Sequence, residues 1–311
     1  MKHTILGAGG SIGNALAFEL LNEKEEVRLV SRSNYSIPGV ESFKADLTNF
    51  EETLSSVKKS DVVYLCAGLP YDSKIWADVW PLVMQNSIDA CKKADVKLIF
   101  FDNVYMYGRV DGKMTETTPY NPCSKKGETR AKIAMNLESE ISKENINAII
   151  ARSADLYGPY ATTSSVPYIL AIDKLLYGKK AQWMLDVSKL HSFTYTIDAA
   201  KGMALLSKHP ECFNQTWHLP TFNPAIDGET FIELVTKEFG VIPDYTVLKK
   251  WMLRLAGIFD KTVTESYEML YQSEFDYYFD STKFNNFFNF RPKSYPDSIH
   301  ETIEFFKKNK I

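Results

Sequence analysis

The sequence predicts an α/β protein with a doubly wound parallel sheet, followed by a smaller C-terminal module of different construction. Three observations carry that expectation. Short aliphatic runs alternate with amphipathic helical patterns through the first half. The first run ends in a glycine cluster that opens a helix, and the alternation lapses after about residue 160.

Strands are expected at residues 4–6, 27–30, 62–65, 97–101 and 148–150, each a β-branched or aliphatic run. Between them, residues 11–21 place Ile12, Leu16 and Leu20 on one stripe. Residues 81–93 do the same with Leu82, Met84 and Ile88, and residues 128–143 with Ile133, Met135, Leu137 and Ile141. Repeated strand, helix, strand units imply a parallel sheet with right-handed crossovers, covered on both faces. Residues 1–160 are expected to form this part, with segments near 190–220 returning to it, and residues 161–311 mostly the smaller module. There, 215–219 reads as a strand returning to the sheet or to the small module, and 281–288 and 298–307 as amphipathic helices. The aromatic residues of 267–290 either line a pocket or pack a small core.

Composition narrows the function classes. Thirty-six basic against 39 acidic residues leave a formal charge of −3, so no nucleic-acid partner is expected. The longest compact apolar stretch, 96–101, is interrupted by Lys97 and is far too short to span a bilayer, so no membrane partner is expected either. The N-terminus runs into the glycine cluster without a signal-peptide pattern, which points to the cytoplasm. Cys66, Cys91, Cys123 and Cys212 are widely separated, and neither a metal site nor a disulfide framework is indicated.

The glycine cluster reads Gly7-Ala8-Gly9-Gly10-Ser11-Ile12-Gly13, between a strand and a helix. That context turns a glycine pattern into a dinucleotide-binding expectation. Glycine allows the tight turn and close approach of backbone to a pyrophosphate, and the N–H groups at the helix start face the anion. About 20 residues on, where an acidic residue would hold the adenine ribose of NAD, stand Ser31 and Arg32. A hydroxyl followed by a guanidinium suits a 2′-phosphate, so NADP is favoured over NAD; Arg32 as a solvated loop cation is the plainer alternative.

With the glycine turn, further segments resemble the extended short-chain dehydrogenase/reductase superfamily, which contains nucleotide-sugar epimerases and dehydratases and dihydroflavonol-type reductases. Asp46 and Leu47, within Ala45-Asp46-Leu47-Thr48, look like its adenine-contacting segment, and Cys66-Ala67-Gly68 like the fourth strand passing the cofactor. Tyr107-Gly108, Tyr157-Gly158-Pro159, Phe193-Thr194-Tyr195 with Asp198, and Asp280-Ser281 with Lys283 resemble its later motifs. The resemblance covers most of the chain and implies a Rossmann fold with a C-terminal substrate domain.

Catalysis in that superfamily uses a Ser/Thr and a Tyr-x-x-x-Lys pair, in which the lysine lowers the phenol pKa so that the tyrosine exchanges a proton with the substrate hydroxyl. Alignment on the resemblance puts Asn103 at the Ser/Thr position, Lys132 at the lysine, which would also contact the cofactor, and Glu128 at the tyrosine. The Asn103 amide can donate to a carbonyl oxygen as a hydroxyl would. Glu128, one turn before Lys132, is either a base or half of a helix-surface ion pair. Tyr105 and Tyr120 are the alternative phenols. The sequence thus resembles an atypical subgroup of the superfamily with a degenerate active-site tetrad.

The departures also bear on substrate. The Asp-Glu pair of nucleotide-sugar 4,6-dehydratases is replaced by Val104 and Tyr105, and the two diphosphate-binding arginines of epimerases fall at His191 and Leu270. A small carbonyl or alcohol substrate is expected instead, contacted by Tyr105, Asp155 and His191, with Arg152 and residues 162–165 also lining the cleft. Asp155 alternatively caps a turn, and His191 alternatively serves structure. Two functions compete: an NADP-dependent oxidoreductase or epimerase-like enzyme, and a catalytically inactive NADP(H)-binding sensor or regulatory protein. A homodimer through helices 81–93 and 128–143 would follow the superfamily by analogy.

Overall fold

A computed structural model describes residues 1–33 and 35–309. The central sheet comprises β1 (Lys2–Leu6), β2 (Glu26–Ser31), β3 (Glu41–Lys44), β4 (Val62–Leu65), β5 (Lys97–Asp102), β7 (Ala148–Arg152) and β12 (Gln215–His218). Its spatial order is β3-β2-β1-β4-β5-β7-β12, with every pair parallel. The order reverses between β1 and β4, and in open α/β sheets ligands bind in the crevice at the carboxyl ends of the strands flanking such a reversal.

The helices are α1 (Ser11–Asn22), α2 (Phe50–Val57), α3 (Ser73–Ala94), α4 (Lys125–Ser142), α5 (Asp173–Leu176) and α6 (Thr196–Lys208). They continue with α7 (Gly228–Phe239), α8 (Lys250–Ala256), α9 (Lys261–Ser266), α10 (Tyr271–Glu274), α11 (Thr282–Phe288) and α12 (Tyr295–Asn309). On one sheet face, Leu16 and Leu20 of α1, Met203 of α6 and Phe284 of α11 pack with Ile5 and Ile99. On the other, Trp80 and Met84 of α3 and Ile133 and Leu137 of α4 pack with Leu98 and Phe100. Both faces of a parallel sheet are thus covered, as its uniformly apolar strands require.

The remaining strands are short and pair outside the main sheet: β6 (Lys113–Met114) with β15 (Tyr278–Phe279), β8 (Asp155–Tyr157) with β11 (Phe193–Tyr195), β9 (Ala181–Met184) with β14 (Tyr245–Leu248), and β10 (Leu190–His191) with β13 (Ile226–Asp227). They carry a third core, where Tyr157, Trp183, Phe193 and Phe231 meet Tyr295 and Ile303 of α12. The 215–219 strand joins the main sheet beside β7.

Several element boundaries differ from the sequence expectation for identifiable reasons. The helix expected from Pro81 begins at Ser73, because the Asp72 carboxylate caps it by accepting from the N–H groups of Lys74 and Ile75, and buried Trp76 and Trp80 anchor its first turns. Pro81 sits inside it, at the cost of one backbone hydrogen bond. Leu82 and Met135, expected on buried stripes, are exposed on α3 and α4. β3 and α2 carry weak sequence signals, since β3 is a four-residue edge strand with Phe43 as its one apolar residue and α2 is only 8 residues long.

Phe231 is fully buried against Tyr157, Trp183 and Phe193, with ring centroids 6.0, 5.7 and 5.3 Å away. Phe231→Ala is expected to cost roughly 3–5 kcal/mol in urea unfolding; a loss below about 1 kcal/mol would show that this core does not hold the C-terminal elements together.

Candidate active site

The turn after β1 is set by contacts that only glycine permits. Gly7 has φ +97°, and a Cβ on it would run into the Ala67 backbone. A Cβ on Gly13 would meet the Gly7 carbonyl oxygen at 3.0 Å, so this glycine lets α1 sit close on the turn. Gly9 and Gly10 are exposed, and a Cβ on Gly9 would press on the Tyr35 ring at 3.2 Å while one on Gly10 would meet only the Gly7 carbonyl oxygen, at 3.6 Å. Unlike α2, α3 and α4, whose N-termini are capped by Asn49, Asp72 and Ser124, α1 has no side-chain cap among the described residues. Its first N–H groups and positive dipole end remain open at the sheet's reversal point, an arrangement that fits an anionic pyrophosphate. Ser11 and buried Ile12 begin that helix.

Around the turn, the other segments expected at a cofactor line up along the same sheet edge. The Ser31 hydroxyl accepts from the Tyr35 N–H at 2.8 Å, and Arg32 is exposed. The Asp46 carboxylate accepts from the N–H and hydroxyl of Thr48, at 2.9 and 2.8 Å, which holds its pKa below the usual carboxylate range, with Arg32 adding to the effect. Leu47 is buried, and its carbonyl accepts from Asn86 at 2.9 Å. Cys66 is buried at the end of β4, Ala67 lies against Gly7, and Gly68 is exposed.

Beyond the turn lies a cavity of about 80 Å³ whose walls include Tyr71, Tyr105, Asp155, Ser164, His191 and Gln272. Ser164 joins the two regions, since its hydroxyl lies 3.1 Å from that of Ser11. Tyr105, Asp155 and His191, expected to contact a substrate, therefore border one space. The His191 Nε2 is 3.1 Å from the Asp155 Oδ2, and the ring is stacked between Tyr277 and Phe193, with centroids 4.3 and 4.5 Å away. Burial, then the neighbouring Tyr71 and Asp155, push the Tyr105 phenol well above its ordinary pKa, so it stays protonated and serves as a donor rather than a base. The Asn103 Oδ1 accepts from the Tyr105 N–H at 3.1 Å, and its Nδ2 donates to no partner among the described residues. Beside the cavity, the buried Tyr271 hydroxyl, Gln272 Nε2 and Tyr277 hydroxyl also lack hydrogen-bond partners among the described residues. Buried polar atoms are rarely left so, and here they fit a polar ligand.

Glu128 and Lys132 do not join this group. Both are exposed on α4, on the side opposite Arg130, Ile133 and Leu137, which face the sheet, and no ion pair joins them among the described residues. An α-helix turns 100° per residue, so positions 128 and 132 share a stripe half a turn from the buried one. Their expected catalytic and cofactor contacts are therefore corrected: the register that places 128 and 132 at the Tyr and Lys positions points both outward. Tyr120 is also elsewhere, bonded to Glu138 and Arg152.

Sequence reasoning missed Lys126. Its side chain is fully buried in the first turn of α4, its Nζ 2.6 Å from Glu265 and 2.9 Å from Glu268 and 4.5 Å from the centroid of the Tyr71 ring. Burial pushes the Glu265 carboxyl up, but Lys126 and the Ser73 N–H outweigh it and hold the pKa low. Glu265 and Glu268 also accept from the backbone N–H groups of Ser73 and Lys125, tying α9 and the turn after it onto the starts of α3 and α4. No signal in the lysine pair at 125–126 distinguished the buried member.

Beneath the site runs a buried polar network. Asp102 is fully buried and pairs with Arg130 at 2.5 Å and Arg152 at 3.3 Å. Arg152 donates to the Tyr107 hydroxyl at 2.8 Å, which is 2.9 Å from the His218 Nε2, and the His218 Nδ1 lies 2.8 Å from the Asp280 carbonyl. Arg152, expected to line the cleft, is thus a structural cation in the floor below it.

A model of the NAD dependent epimerase/dehydratase family matches residues 3–218. The uncharacterized UDP-glucose epimerase YtcB of Bacillus subtilis is 24% identical over 242 residues, 70% of this chain and 75% of that protein. A dTDP-glucose 4,6-dehydratase of Mycobacterium tuberculosis is 24% identical over 181 residues, and the match spans 51% of this chain and 55% of the dehydratase. Among solved structures, the UDP-glucose 4-epimerase of Thermus thermophilus in complex with NAD superposes with a TM-score of 0.80 at 18% identity, covering 99% of both chains. Pal from Bacillus thuringiensis superposes at 0.82 and 16% identity, covering 99% of this chain and 100% of that one.

The network makes a pH prediction. Burial lowers the His218 pKa from 6.5 to about 3, so between those values the unfolded chain binds a proton that the folded protein excludes. Stability is then full above about pH 6.5 and falls as pH drops toward 3, by up to about 1.4 kcal/mol per pH unit. In urea unfolding across that range, His218→Gln should show a shallower loss than wild type; parallel pH profiles would contradict the buried neutral imidazole.

Proposed function

The chain belongs to the NAD dependent epimerase/dehydratase family, and from that premise we propose that it is an oxidoreductase or epimerase-like enzyme that holds a nicotinamide dinucleotide at the β1–α1 turn and acts on a small hydroxyl or carbonyl compound in the adjoining cavity. The observation that carries this reading is the convergence of Tyr105, Asp155 and His191 on one cavity, joined to the turn through Ser164. When bound, the cofactor supplies hydride transfer. The glycine turn and the start of α1 would hold its pyrophosphate, and Ser31, Arg32 and Asp46 its adenosine end.

The protein's own groups do the rest. Asn103 Nδ2 and the Tyr105 hydroxyl donate hydrogen bonds to the substrate oxygen and stabilise charge developing on it. The Asp155–His191 pair takes and returns the proton of the reacting hydroxyl, its geometry fixed by the Tyr277 and Phe193 stack. Lys189 is the only lysine or arginine in the cavity lining among the described residues, which suits a compact uncharged substrate better than a nucleoside diphosphate sugar. Val104 and Tyr105 leave no Asp-Glu pair of the kind expected in a 4,6-dehydratase.

NADP is the preferred cofactor in this reading. Support comes from Ser31, which leaves no carboxylate at the ribose position, and from exposed Arg32, which forms no ion pair among the described residues. Related structures were solved with NAD, so the preference requires its own test. A second reading, an inactive NADP(H) sensor, is favoured by one observation: Glu128 and Lys132 face solvent, so the pair expected to replace Tyr and Lys is absent from the cavity.

Fluorescence titration should show NADPH binding more tightly than NADH, and Arg32→Ala should reduce that preference about tenfold; tighter binding of NADH would reverse the cofactor assignment. Across a panel of small hydroxy and carbonyl compounds, Asp155→Asn should lower kcat about a hundredfold with little change in KM. Wild-type rates in this variant would remove the pair from the chemistry, and tight NADPH binding with no turnover on any compound would favour the sensor.

A further inference from the structure

The stretch from Lys249 to Glu268, which carries α8 and α9, is attached to the rest of the molecule without a core. None of its residues is buried. It leaves from the end of β14, and buried structure begins again only at Met269 and Leu270, where the stretch ends. Between Leu253, Arg254 and Tyr267 of the stretch and Ser73 and Lys125 at the starts of α3 and α4 lies an open cleft of about 550 Å³. Little apolar surface is sealed between the two sides, so lifting the stretch away forfeits little hydrophobic free energy.

What holds it down is polar. Among the described residues, its hydrogen bonds and ion pairs to the sheet domain all end on Asp72, Ser73, Lys125 and Lys126. The Lys261 partner of Asp72 is exposed, and water competes for that pair. Lys126 is fully buried, and its Nζ donates to the Glu265 carbonyl oxygen at 2.9 Å as well as to the Glu265 and Glu268 carboxylates. An ammonium has three N–H donors, so the stretch satisfies all of them. A buried cation whose partners all sit on one weakly packed segment couples the position of that segment to its own desolvation.

This clasp meets the cavity at two points. The Tyr71 ring, over which Lys126 lies, lines it, and so does Ser266, the neighbour of Glu265. The facing walls are fixed, because Asp155 and Phe193 belong to the paired strands β8 and β11 and Trp183 to the third core. We infer that Lys126 is a positioning residue that clasps residues 249–268 over the cavity, and that this stretch opens as a unit to admit a ligand when the clasp releases. That the ligand is a substrate rests on the enzyme reading above; the clasp itself does not. Opening exchanges polar contacts for water and unpacks no core, which places it among the cheapest local openings of the molecule.

Residue-resolved hydrogen exchange of the full chain, with neither cofactor nor substrate, tests this. Among the described residues the N–H groups of Ser73 and Lys125 donate only to Glu265 and Glu268, so their protection reads the clasp. In wild type both should be protected, and residues 249–268 should exchange together and faster than β4 and β5. Lys126→Met leaves the two carboxylates without their cation and should speed exchange at Ser73, Lys125 and 249–268 by at least about tenfold, with β4 and β5 unchanged. Glu268→Gln, which keeps an acceptor but removes one charge, should give a smaller rise of about threefold. The inference is overturned if Ser73 and Lys125 are unprotected in wild type, if 249–268 exchanges as slowly as the central strands, or if neither variant speeds it. An equal rise in β4 and β5 would also overturn it, since Lys126 would then support the whole fold and not the roof. Failure to turn over any compound would remove the enzyme reading and leave these rates as the measure of the clasp.

Discussion

The architecture depends on how closely two backbone segments approach where β1 ends. The Gly7 Cα lies so near Ala67 that a side chain could not be placed between them, and the same turn lets α1 start without a capping side chain. The approach sets β4 beside β1 at the sheet's reversal point and leaves the N-terminal end of α1 open toward the crevice. A cap on α1 would stabilise the helix and fill that end; its absence is a local departure from good helix design that leaves the helix start able to receive an anion.

A second constraint acts below the substrate side. Asp102 and Arg130 are charges taken almost entirely out of water, tolerable only because each finds several partners. Removing one partner would strand the rest, so the network fixes the carboxyl ends of β5 and β7 and, through the Asn103 to Tyr105 turn, the cavity wall above them. The C-terminal elements are tied on by a different interaction: Glu265 and Glu268 satisfy two helix starts and a buried lysine together. Rigid floor and tethered roof enclose a small space lined by protonated phenols and a carboxylate–imidazole pair.

Much of this was legible in the sequence, for physical reasons. Parallel strands covered on both faces need continuous apolar runs, so β1, β2, β4, β5 and β7 announce themselves, and a strand-to-helix turn built from glycine has few alternatives. Asp155 and His191 stand out as candidates because they occupy places where the resemblance expects cleft or phosphate-binding residues. The start of the helix at residue 73 is obscured because Pro81 looks like a first helical position, and only the burial of Trp76 and Trp80 extends the helix past it. Glu128 and Lys132 are misplaced by a register error that periodicity along α4 alone could have flagged: Ile133 and Leu137 must face the sheet, which turns 128 and 132 outward. Lys126 was illegible, because its partners are about 140 residues away in sequence and come together only through the fold.

Family membership accounts for the kind of fold, while the side chains around the cavity are this chain's own, since its structural neighbours share the backbone at under one-fifth identity. The central claim is that a dinucleotide lies across the β1–α1 turn and reaches the cavity by way of Ser164. Amide hydrogen exchange of the full chain with and without NADPH tests it most directly. Saturating cofactor should slow exchange over residues 9–13 and 161–165 together, and unchanged exchange at both segments, with the cofactor bound elsewhere or not at all, would contradict the account.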